Sequence, residues 1–466
     1  MSTSDTVPSR APGATRVLHT SDWHLGVTVR NHPRSADHDE VLAEIVDIAA
    51  ASEPDLIVHT GDLFDGHRPA MQELGRAIKA LRALAEVAPV VLLAGNHDSA
   101  VALEVLGVAL GDEHPDDIAA GTYDPHRPTR HRIRVHARPT IAAKGAVATY
   151  ETRGGGLLRL VALPFVHANR VLVEFDALLE ANATYNDSLR KIIAVLSRSA
   201  FEQFDPTADV AVFASHLHVA DARTSSEKTI HISSDYATDP AHLEARFGYL
   251  AFGHIHVPQP VAGGRGQYAG SVLEVDFGER GEQKRVVLAD LSPGRPTVTT
   301  SVPLTSGRRL HVVRAPLATL AEHATVVGRG LVEVTVLPEP EPEPALAGTP
   351  WRPGDPIVVA GQPFDTLSSA VAAVLPDATV VGVVDARNPH VATADEVGAP
   401  AVAESINDVF RAWLADAGSV LVSGDGLADP VQVAGLFDEF HAAASTDGEA
   451  VLSEVAVLTA LGDGRP

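Results

Sequence analysis

The sequence predicts an α/β fold whose sheets are covered on both faces. Short apolar runs at residues 16–20, 56–60 and 89–94 alternate with segments whose apolar residues recur at helical spacing. Similar runs follow at residues 209–215 and 249–253. Nearly every position in these runs is apolar, which is typical of strands buried on both faces in α/β proteins.

Two helices are predicted between the first three strands, because apolar residues recur there every three or four positions. These positions are Val41, Leu42, Ile45, Val46 and Ala49 in the first helix and Leu74, Ile78, Leu81 and Leu84 in the second. Pro54 and Gly61 bound the strand between the helices, since both residues interrupt regular structure.

The length of the chain indicates several domains. Its 466 residues suffice for about three domains, and a hydrophobic content of 45% can fill sizeable cores. We predict a flexible tail over residues 1–15, the main α/β domain over 16–300, a small α/β capping domain over 301–395 and a helical region over 396–466. Residues 338–344 alternate Pro and Glu, which predicts an extended loop within the small domain.

The composition excludes several classes of protein. The chain has no Cys, so it can form neither disulfides nor thiolate zinc sites, and it has no cysteine nucleophile. No apolar run approaches the roughly 18 residues of a membrane span. Residues 1–16 lack the apolar core of a signal peptide. We therefore expect a cytoplasmic protein without membrane attachment.

The net charge of −24 argues at first against nucleic acid as a ligand. However, the charge is unevenly distributed: about 20 acidic and 4 basic residues lie from Pro338 onward. The C-terminal third is therefore poorly suited to binding phosphates, whereas the first two thirds can still carry a local basic surface.

Residue types that bind metals follow each of the five apolar runs. They are Asp22 and His24 after the first run, Asp62 after the second, Asn96, His97 and Asp98 after the third, His216 after the fourth, and His254 and His256 after the fifth. Because open α/β sheets bind ligands at the carboxyl ends of their strands, we expect these side chains at one edge.

This set of donors predicts a centre for two metal ions. Oxygen and nitrogen donors without sulfur suit Mn²⁺, Fe²⁺ or Zn²⁺. Seven candidate ligands (Asp22, His24, Asp62, Asn96, His216, His254 and His256) exceed the needs of one tetrahedral ion. They suit two ions about 3.5–4 Å apart that activate water and clamp a phosphodiester. Asp62 is the natural bridge, being a single carboxylate after the flexible Gly61.

The motifs D-x-H, G-D-x-x-D, G-N-H-D and G-H-x-H, with the single histidine between the last two, resemble those of the calcineurin-like metallophosphoesterases. Longer stretches resemble the SbcD family, the nuclease subunits of bacterial SbcCD complexes. They read TSDWHLG, GDLFD, LAGNHDS, LPF, GHIHVPQ and YAGS. The resemblance runs in order from about residue 16 to residue 271 and is weak from about residue 291 onward.

The resemblance implies a metallophosphoesterase sandwich, a capping domain that contacts DNA and specific roles for the site residues. One ion is expected on Asp22, His24, Asp62 and His256, and the other on Asp62, Asn96, His216 and His254. His97 is implied as the acid that protonates the leaving oxygen or stabilises charge on the phosphate. Asp98 is expected to orient the His97 ring.

Three residues near these motifs leave alternatives open. His218 could replace His216 as the ligand, although we favour His216 because it follows the strand directly. Asp65 and His67 lie where archaeal relatives carry a second histidine that is not a ligand, and the sequence does not define their role.

The resemblance implies a Mn²⁺-dependent nuclease that acts as an exonuclease on duplex ends and as an endonuclease on single strands and hairpins. Roles in DNA repair, replication and recombination and a nucleoid-associated location follow from it. It further implies a homodimer within a heterotetramer and a coiled-coil ATPase partner, SbcC, bound by residues 396–466. The chain itself contains no G-x-x-x-x-G-K-[ST] phosphate loop, so any ATP dependence must come from another polypeptide.

Two other functions compete with the nuclease hypothesis. A stand-alone phosphodiesterase for nucleotides or other small phosphodiesters would use the same metal centre, but it would need neither the small domain nor the acidic C-terminal region. A non-enzymatic scaffold is disfavoured, because every candidate ligand position and His97 are filled.

Overall fold

The computed structural model describes residues 7–112, 114–167, 175, 184–224, 237–339, 357–359 and 362–387. The predicted helical region at 396–466 and most of the predicted Pro-Glu loop at 338–344 lie outside these residues. None of the helices in the described ranges is long and apolar enough to cross a membrane.

Strands and helices alternate along the described chain. The strands are β1 (Thr15–Thr20), β2 (Thr28–Val29), β3 (His32–Pro33), β4 (Leu56–His59), β5 (Val90–Leu93), β6 (Ile133–His136), β7 (Val147–Glu151), β8 (Leu157–Leu163), β9 (Val210–His216), β10 (Tyr249–Gly253), β11 (Gln259–Val261), β12 (Gly266–Tyr268), β13 (Arg285–Leu291), β14 (Val298–Pro303), β15 (Leu310–Pro316), β16 (Leu331–Leu337), β17 (Ile357–Val359), β18 (Gln362–Phe364) and β19 (Thr379–Asp385). The helices are α1 (Ser35–Ser52), α2 (Met71–Val87), α3 (Ala100–Leu110), α4 (His114–Ala119), α5 (Tyr185–Ala200), α6 (Ala324–Val327) and α7 (Leu367–Val374).

Two six-stranded sheets form the main domain. The first has the order β14-β13-β1-β4-β5-β6, and its strands β1, β4, β5 and β6 are parallel. The second has the order β11-β12-β10-β9-β8-β7, and its strands β12, β10, β9 and β8 are parallel. In the first sheet, antiparallel strands adjoin the parallel ones on one side only, at β13 and β14. In the second sheet, the antiparallel strands β11 and β7 flank the parallel ones on both sides.

Both faces of each sheet are covered. A core of Val17, Val58, Leu160, Val212 and other residues lies between the two sheets. Helices α1, α2 and α3 pack on the outer face of the first sheet, and helix α5 packs on the outer face of the second. The predicted α/β sandwich is therefore confirmed, and the double burial of its strands explains why their sequences are continuously apolar.

The topology brings several loops to one edge of the sandwich. In the first sheet, Thr20 of β1 pairs with His59 of β4. In the second sheet, His216 of β9 pairs with Gly253 of β10. Because these parallel strands run in the same direction within each sheet, the segments that carry the candidate ligands emerge together at their carboxyl ends.

A small domain follows the sandwich. Strands β15, β16 and β19 form a sheet, and helix α7 packs on it through Ala370 and Val371. Ion pairs connect this domain to the sandwich: Arg308 lies 2.9 Å from Asp37, and Arg30 pairs with Glu333. Strand β14 still belongs to the first sheet, so the domain boundary predicted at residue 300 falls within this strand.

Apart from the candidate ligands and His218, five buried histidines among the described residues should make the fold sensitive to acid. They are His19, His38, His59, His114 and His136. Burial lowers the pKa of His19, His59 and His114 to about 3, lowers that of His38 to about 4, and lowers that of His136 well below its ordinary value. Unfolded histidines bind protons below about pH 6.5, whereas these remain neutral. Stability is therefore full above that pH and falls as the pH decreases toward 4.

We expect the urea midpoint of the chelator-treated protein to be lower at pH 5 than at pH 7. Each histidine contributes a loss of about 2 kcal/mol over this interval. Burial raises the pKa of Asp98 to about 7 and that of Asp22 well above its ordinary value, and these two carboxyls oppose the trend. His19→Gln should reduce the loss of unfolding free energy between pH 7 and pH 5 by the contribution of one histidine, about 2 kcal/mol. A midpoint that is unchanged or higher at pH 5 would contradict this expectation.

Candidate metal centre

The loops at the sandwich edge place four candidate ligands in an uncommon backbone conformation. Asp22, His24, Asp62 and His254 have positive φ angles of 50°, 48°, 54° and 100°. Such angles cost roughly 1–3 kcal/mol for residues other than glycine and concentrate at functional sites. Backbone hydrogen bonds hold two of them in place: Asp22 N donates to Gly61 O, and His24 N donates to Asp62 O.

Three glycines leave the room that these ligands occupy. A Cβ atom on Gly95 would lie 2.0 Å from Asp62 Oδ1. One on Gly61 would lie 2.3 Å from His216 Nδ1, and one on Gly253 would lie 2.1 Å from Thr60 O. Real Cβ atoms do not approach other atoms this closely. The glycine before each of Asp62, Asn96 and His254 is therefore a steric requirement of the site.

The first group of ligands consists of Asp22, His24 and His256, whose donor atoms lie within 4.8 Å of one another. The Nε2 atoms of His24 and His256 are 3.0 Å apart. Asp62 adjoins the group, because its Oδ2 lies 3.8 Å from His24 Nε2. This is the combination expected to hold one ion.

The hydrogen bonds behind this group suit it to a cation. His24 Nδ1 lies 3.2 Å from Asp65 Oδ1, and His256 Nδ1 lies 2.7 Å from Glu279 Oε1. Because ionised carboxylates only accept hydrogen bonds, both Nδ1 atoms donate, and a neutral ring then presents the lone pair of its Nε2 atom to the other ring. Burial lowers the pKa of His24, but the hydrogen bond to Asp65 and the nearby carboxylates together outweigh burial and raise this pKa in the metal-free protein, whereas a bound metal ion would accept both lone pairs.

The second group surrounds the side chain of Asn96. Its Oδ1 lies 2.9 Å from His216 Nε2 and 2.8 Å from His254 Nδ1. His216 Nδ1 lies 2.8 Å from the carbonyl oxygen of Thr60 and donates to it, which directs the Nε2 lone pair at the Asn96 oxygen. The Nε2 atom of His216 and the Oδ1 atom of Asn96 are therefore two acceptors that face each other, and a cation would bind to both.

Asp62 links the two groups. Its Oδ2 lies 3.5 Å from His216 Nε2 as well as 3.8 Å from His24 Nε2. Its Oδ1 accepts a 2.8 Å hydrogen bond from the backbone N–H of His97. The carboxylate is thus positioned to serve both ions. Among the described residues, His216 belongs to one of the candidate metal groups of acidic and histidine side chains, whereas His218 and His254 do not. His254 joins the site through its contact with Asn96.

Comparison with known proteins identifies the family. The family model for the calcineurin-like phosphoesterases matches residues 15–258, just over half of the chain. The SbcD component of the nuclease SbcCD from Bacillus subtilis is 32% identical over 307 residues, which is 63% of this chain and 71% of that protein. The chain belongs to the SbcD family.

More distant SbcD relatives agree with this assignment. The SbcD protein of Rhodobacter capsulatus is 28% identical over 60% of this chain and 67% of its own length. The SbcD protein of Staphylococcus saprophyticus is 25% identical over 64% of this chain and 71% of its own length. As a member of this family of calcineurin-like phosphoesterases, the chain is a metal-dependent phosphodiesterase.

Electrostatics at the candidate centre favour bound cations. Burial raises the pKa of Asp22 well above its ordinary value, and the nearby Asp62 carboxylate raises it further. Burial acts in the same direction on Asp62, but His216 and His24 outweigh it and hold the pKa of Asp62 below its usual range. Two buried carboxylates at one site repel each other, so divalent ions would relieve this repulsion.

The structure corrects the expected contact between Asp98 and the ring of His97. Both carboxylate oxygens of Asp98 accept backbone hydrogen bonds instead, from the N–H groups of Leu63, Phe64 and Gly95 at 2.9–3.2 Å. The ring of His97 donates through Nδ1 to the carbonyl oxygen of Asp65 at 2.9 Å. Asp98 therefore joins the loops that carry Asp62 and Asn96, because a buried carboxylate can satisfy several N–H donors at once.

Sequence reasoning missed several residues that support the ligands. It left Asp65 without a role, yet Asp65 contacts His24 through its carboxylate and His97 through its carbonyl. His67 Nδ1 lies 3.2 Å from the carbonyl oxygen of Asp98. Glu279 was missed because it lies 23 residues beyond His256 and outside every recognised motif. A search for carboxylates behind histidine ligands could have suggested it.

Proposed function

We propose that this chain is the nuclease subunit of an SbcCD-type complex and hydrolyses DNA phosphodiesters with two Mn²⁺ ions. The observation that carries the proposal is the pair of convergent ligand groups that share Asp62. The names of its relatives support a nuclease component. By analogy with them, we propose exonuclease action on duplex ends, endonuclease action on single strands and hairpins, and roles in DNA repair, replication and recombination.

The ligand geometry supports an assignment of the side chains to two separate ions. We assign Asp22, His24, Asp62 and His256 to one ion and Asp62, Asn96, His216 and His254 to the other. Oxygen and imidazole donors without sulfur suit Mn²⁺. When bound, such a metal pair polarises the phosphodiester and activates a water nucleophile.

His97 is positioned to act on the leaving oxygen or on the phosphate. Its Nδ1–H donates to the Asp65 carbonyl, which leaves Nε2 for the substrate. Its ring packs edge-on against that of His24, with centroids 5.0 Å apart. His97 is only partly buried, so substrate can reach it. We propose that its imidazolium form, which also carries a proton on Nε2, delivers that proton to the leaving oxygen and becomes the neutral ring.

His97→Ala should strongly lower cleavage of DNA while leaving metal binding intact. The imidazole is expected to contribute about 10²–10⁴-fold as a general acid, and the side chain is not among the proposed ligands. Hydrolysis of end-labelled linear and hairpin DNA with Mn²⁺, with and without a chelator, measures the effect. Mn²⁺ titration of the same variant is the control.

Two results would contradict this mechanism in different ways. Full cleavage by His97→Ala would remove the proposed role of that side chain. A wild-type chain that cleaves a small chromogenic phosphodiester but no DNA, even with an ATPase partner present, would favour the stand-alone phosphodiesterase.

We further propose that a coiled-coil ATPase of the SbcC type supplies much of the affinity for DNA. The chain has a net charge of −24, and its sequence contains no G-x-x-x-x-G-K-[ST] phosphate-binding loop. A protein of this charge should bind DNA weakly, and more weakly still as salt increases. The proposed ATPase-binding segment, residues 396–466, lies outside the described residues. Tight binding of long duplex DNA by the isolated chain at physiological salt would contradict the proposal.

An exposed apolar face on α3 supports the proposed homodimer. Val101, Val105 and Val108 are 61%, 62% and 81% exposed and recur at helical spacing on one face. Contiguous exposed apolar side chains commonly mark an interface.

Val105→Glu should therefore convert dimers into monomers, because a charge would be buried in the interface. Light scattering coupled to size-exclusion chromatography measures this shift. Val312→Glu is the matched control, since Val312 is also exposed (39%) but lies in the small domain. A wild-type chain that is monomeric at high concentration would contradict the homodimer.

A further inference from the structure

A buried ionic network lies behind His256. Glu279 Oε1 accepts from His256 Nδ1 at 2.7 Å, and Glu279 Oε2 accepts from Lys284 Nζ at 2.7 Å. Ser271 connects both charges, because its hydroxyl donates to Glu279 Oε2 at 3.0 Å and accepts from Lys284 Nζ at 2.8 Å. The network thus begins at a proposed metal ligand and ends at a lysine.

Stability alone does not explain why this network is so deeply buried. Glu279 and Lys284 are 0% and 1% exposed. Removing two charges from water is costly, and apolar residues of similar volume often stabilise a fold equally well or better. An ion pair buried directly behind a metal-ligating imidazole therefore calls for a role besides folding.

We infer that Glu279 is a positioning residue for the metal ion held by His256, with Lys284 as its counter-ion. By accepting the Nδ1 proton, the Glu279 carboxylate fixes the tautomer and the ring orientation of His256 and makes its Nε2 a stronger donor. Lys284 allows that carboxylate to remain ionised in the interior. This inference rests on the metal centre proposed above.

The surrounding backbone is built to hold this network. Gly270 has a φ of +80°, and a Cβ atom there would lie 2.5 Å from the carbonyl oxygen of His256. The next residue, Ser271, donates its backbone N–H to the same oxygen. The segment YAGS at residues 268–271, which the proposed chemistry does not otherwise use, thus connects the backbone of His256 to Glu279 and Lys284.

The test is calorimetric titration of Mn²⁺ into the full chain and three variants. We expect the wild type to bind two ions. Glu279→Gln keeps an oxygen that can accept from His256 but removes the charge, so the affinity for one ion should fall about 10–100-fold while the other is retained. Glu282→Gln is the matched control, because Glu282 also pairs with Lys284 at 2.7 Å, whereas the carboxylate that accepts from His256 Nδ1 is that of Glu279. It should leave both affinities unchanged.

A double variant, Glu279→Leu with Lys284→Met, separates positioning from folding. It replaces the ion pair by apolar side chains, so the fold should persist while one ion remains weakly bound. Circular dichroism melts verify folding of each variant. Wild-type affinity for both ions in Glu279→Gln or in the folded double variant would overturn this inference alone. A wild-type chain that binds no Mn²⁺ would overturn the proposed function as well.

Discussion

Asp62→Asn is expected to lower Mn²⁺-dependent cleavage of DNA about a thousandfold. Asp62 is the carboxylate that adjoins both ligand groups, with Oδ2 3.8 Å from His24 Nε2 and 3.5 Å from His216 Nε2. Removing its charge weakens the binding of both proposed ions at once. A thousandfold loss of rate corresponds to a loss of about 4 kcal/mol of transition-state stabilisation. Cleavage of end-labelled DNA by wild type and variant measures it.

The same substitution should also remove the stabilisation that Mn²⁺ gives the fold. His216 and His24 hold the pKa of Asp62 below its usual range, so the Asp62 charge stabilises the metal-free fold as well, and the variant should melt somewhat below the wild type in the presence of a chelator. We expect it in addition to lose the increase in melting temperature that Mn²⁺ gives the wild type. A variant that Mn²⁺ still stabilises as strongly as the wild type would contradict the bridging role of Asp62.

Gly95→Ala should be nearly as damaging, although it changes no functional group. The added methyl would lie 2.0 Å from Asp62 Oδ1 and 2.3 Å from its backbone nitrogen. The carboxylate cannot keep its position, so we expect cleavage to fall at least about 100-fold, as when a small displacement disrupts catalytic geometry. Activity and Mn²⁺ affinity should decline together.

Gly66→Ala is the matched control for this prediction. A Cβ atom on Gly66 would meet nothing within 4 Å, although Gly66 lies only four residues after Asp62 in the same loop. It should therefore leave both cleavage and Mn²⁺ affinity unchanged. Equal effects of the two substitutions would show that the added methyl group acts for reasons unrelated to Asp62.

The sequence contained enough information to predict which candidate ligands gather at one edge, but not which residues support them. Continuous apolar runs indicated strands buried on both faces, and parallel strands deliver the residues that follow them to one edge. Asp22, Asp62, His216 and His254 could therefore be predicted from position alone. Glu279 could not, because its contact with His256 depends on the path of a loop that no periodic pattern encodes.

Two ambiguities had a physical origin. His216 and His218 are two residues apart, so both side chains would point to the same face of an extended segment. Only the tertiary contact of His216 with Asn96 and Thr60 distinguishes them. Asp98 was expected to contact the adjacent ring of His97, but unpaired backbone N–H groups in two neighbouring loops occupy its oxygens instead.

Anomalous diffraction from crystals of the full chain soaked in Mn²⁺ would test the central claim most directly. We predict two peaks about 3.5–4 Å apart, with Asp62 contacting both, Asp22, His24 and His256 on one side and Asn96, His216 and His254 on the other. A single peak, or two peaks that do not share Asp62, would contradict the two-metal centre on which the proposed nuclease activity depends.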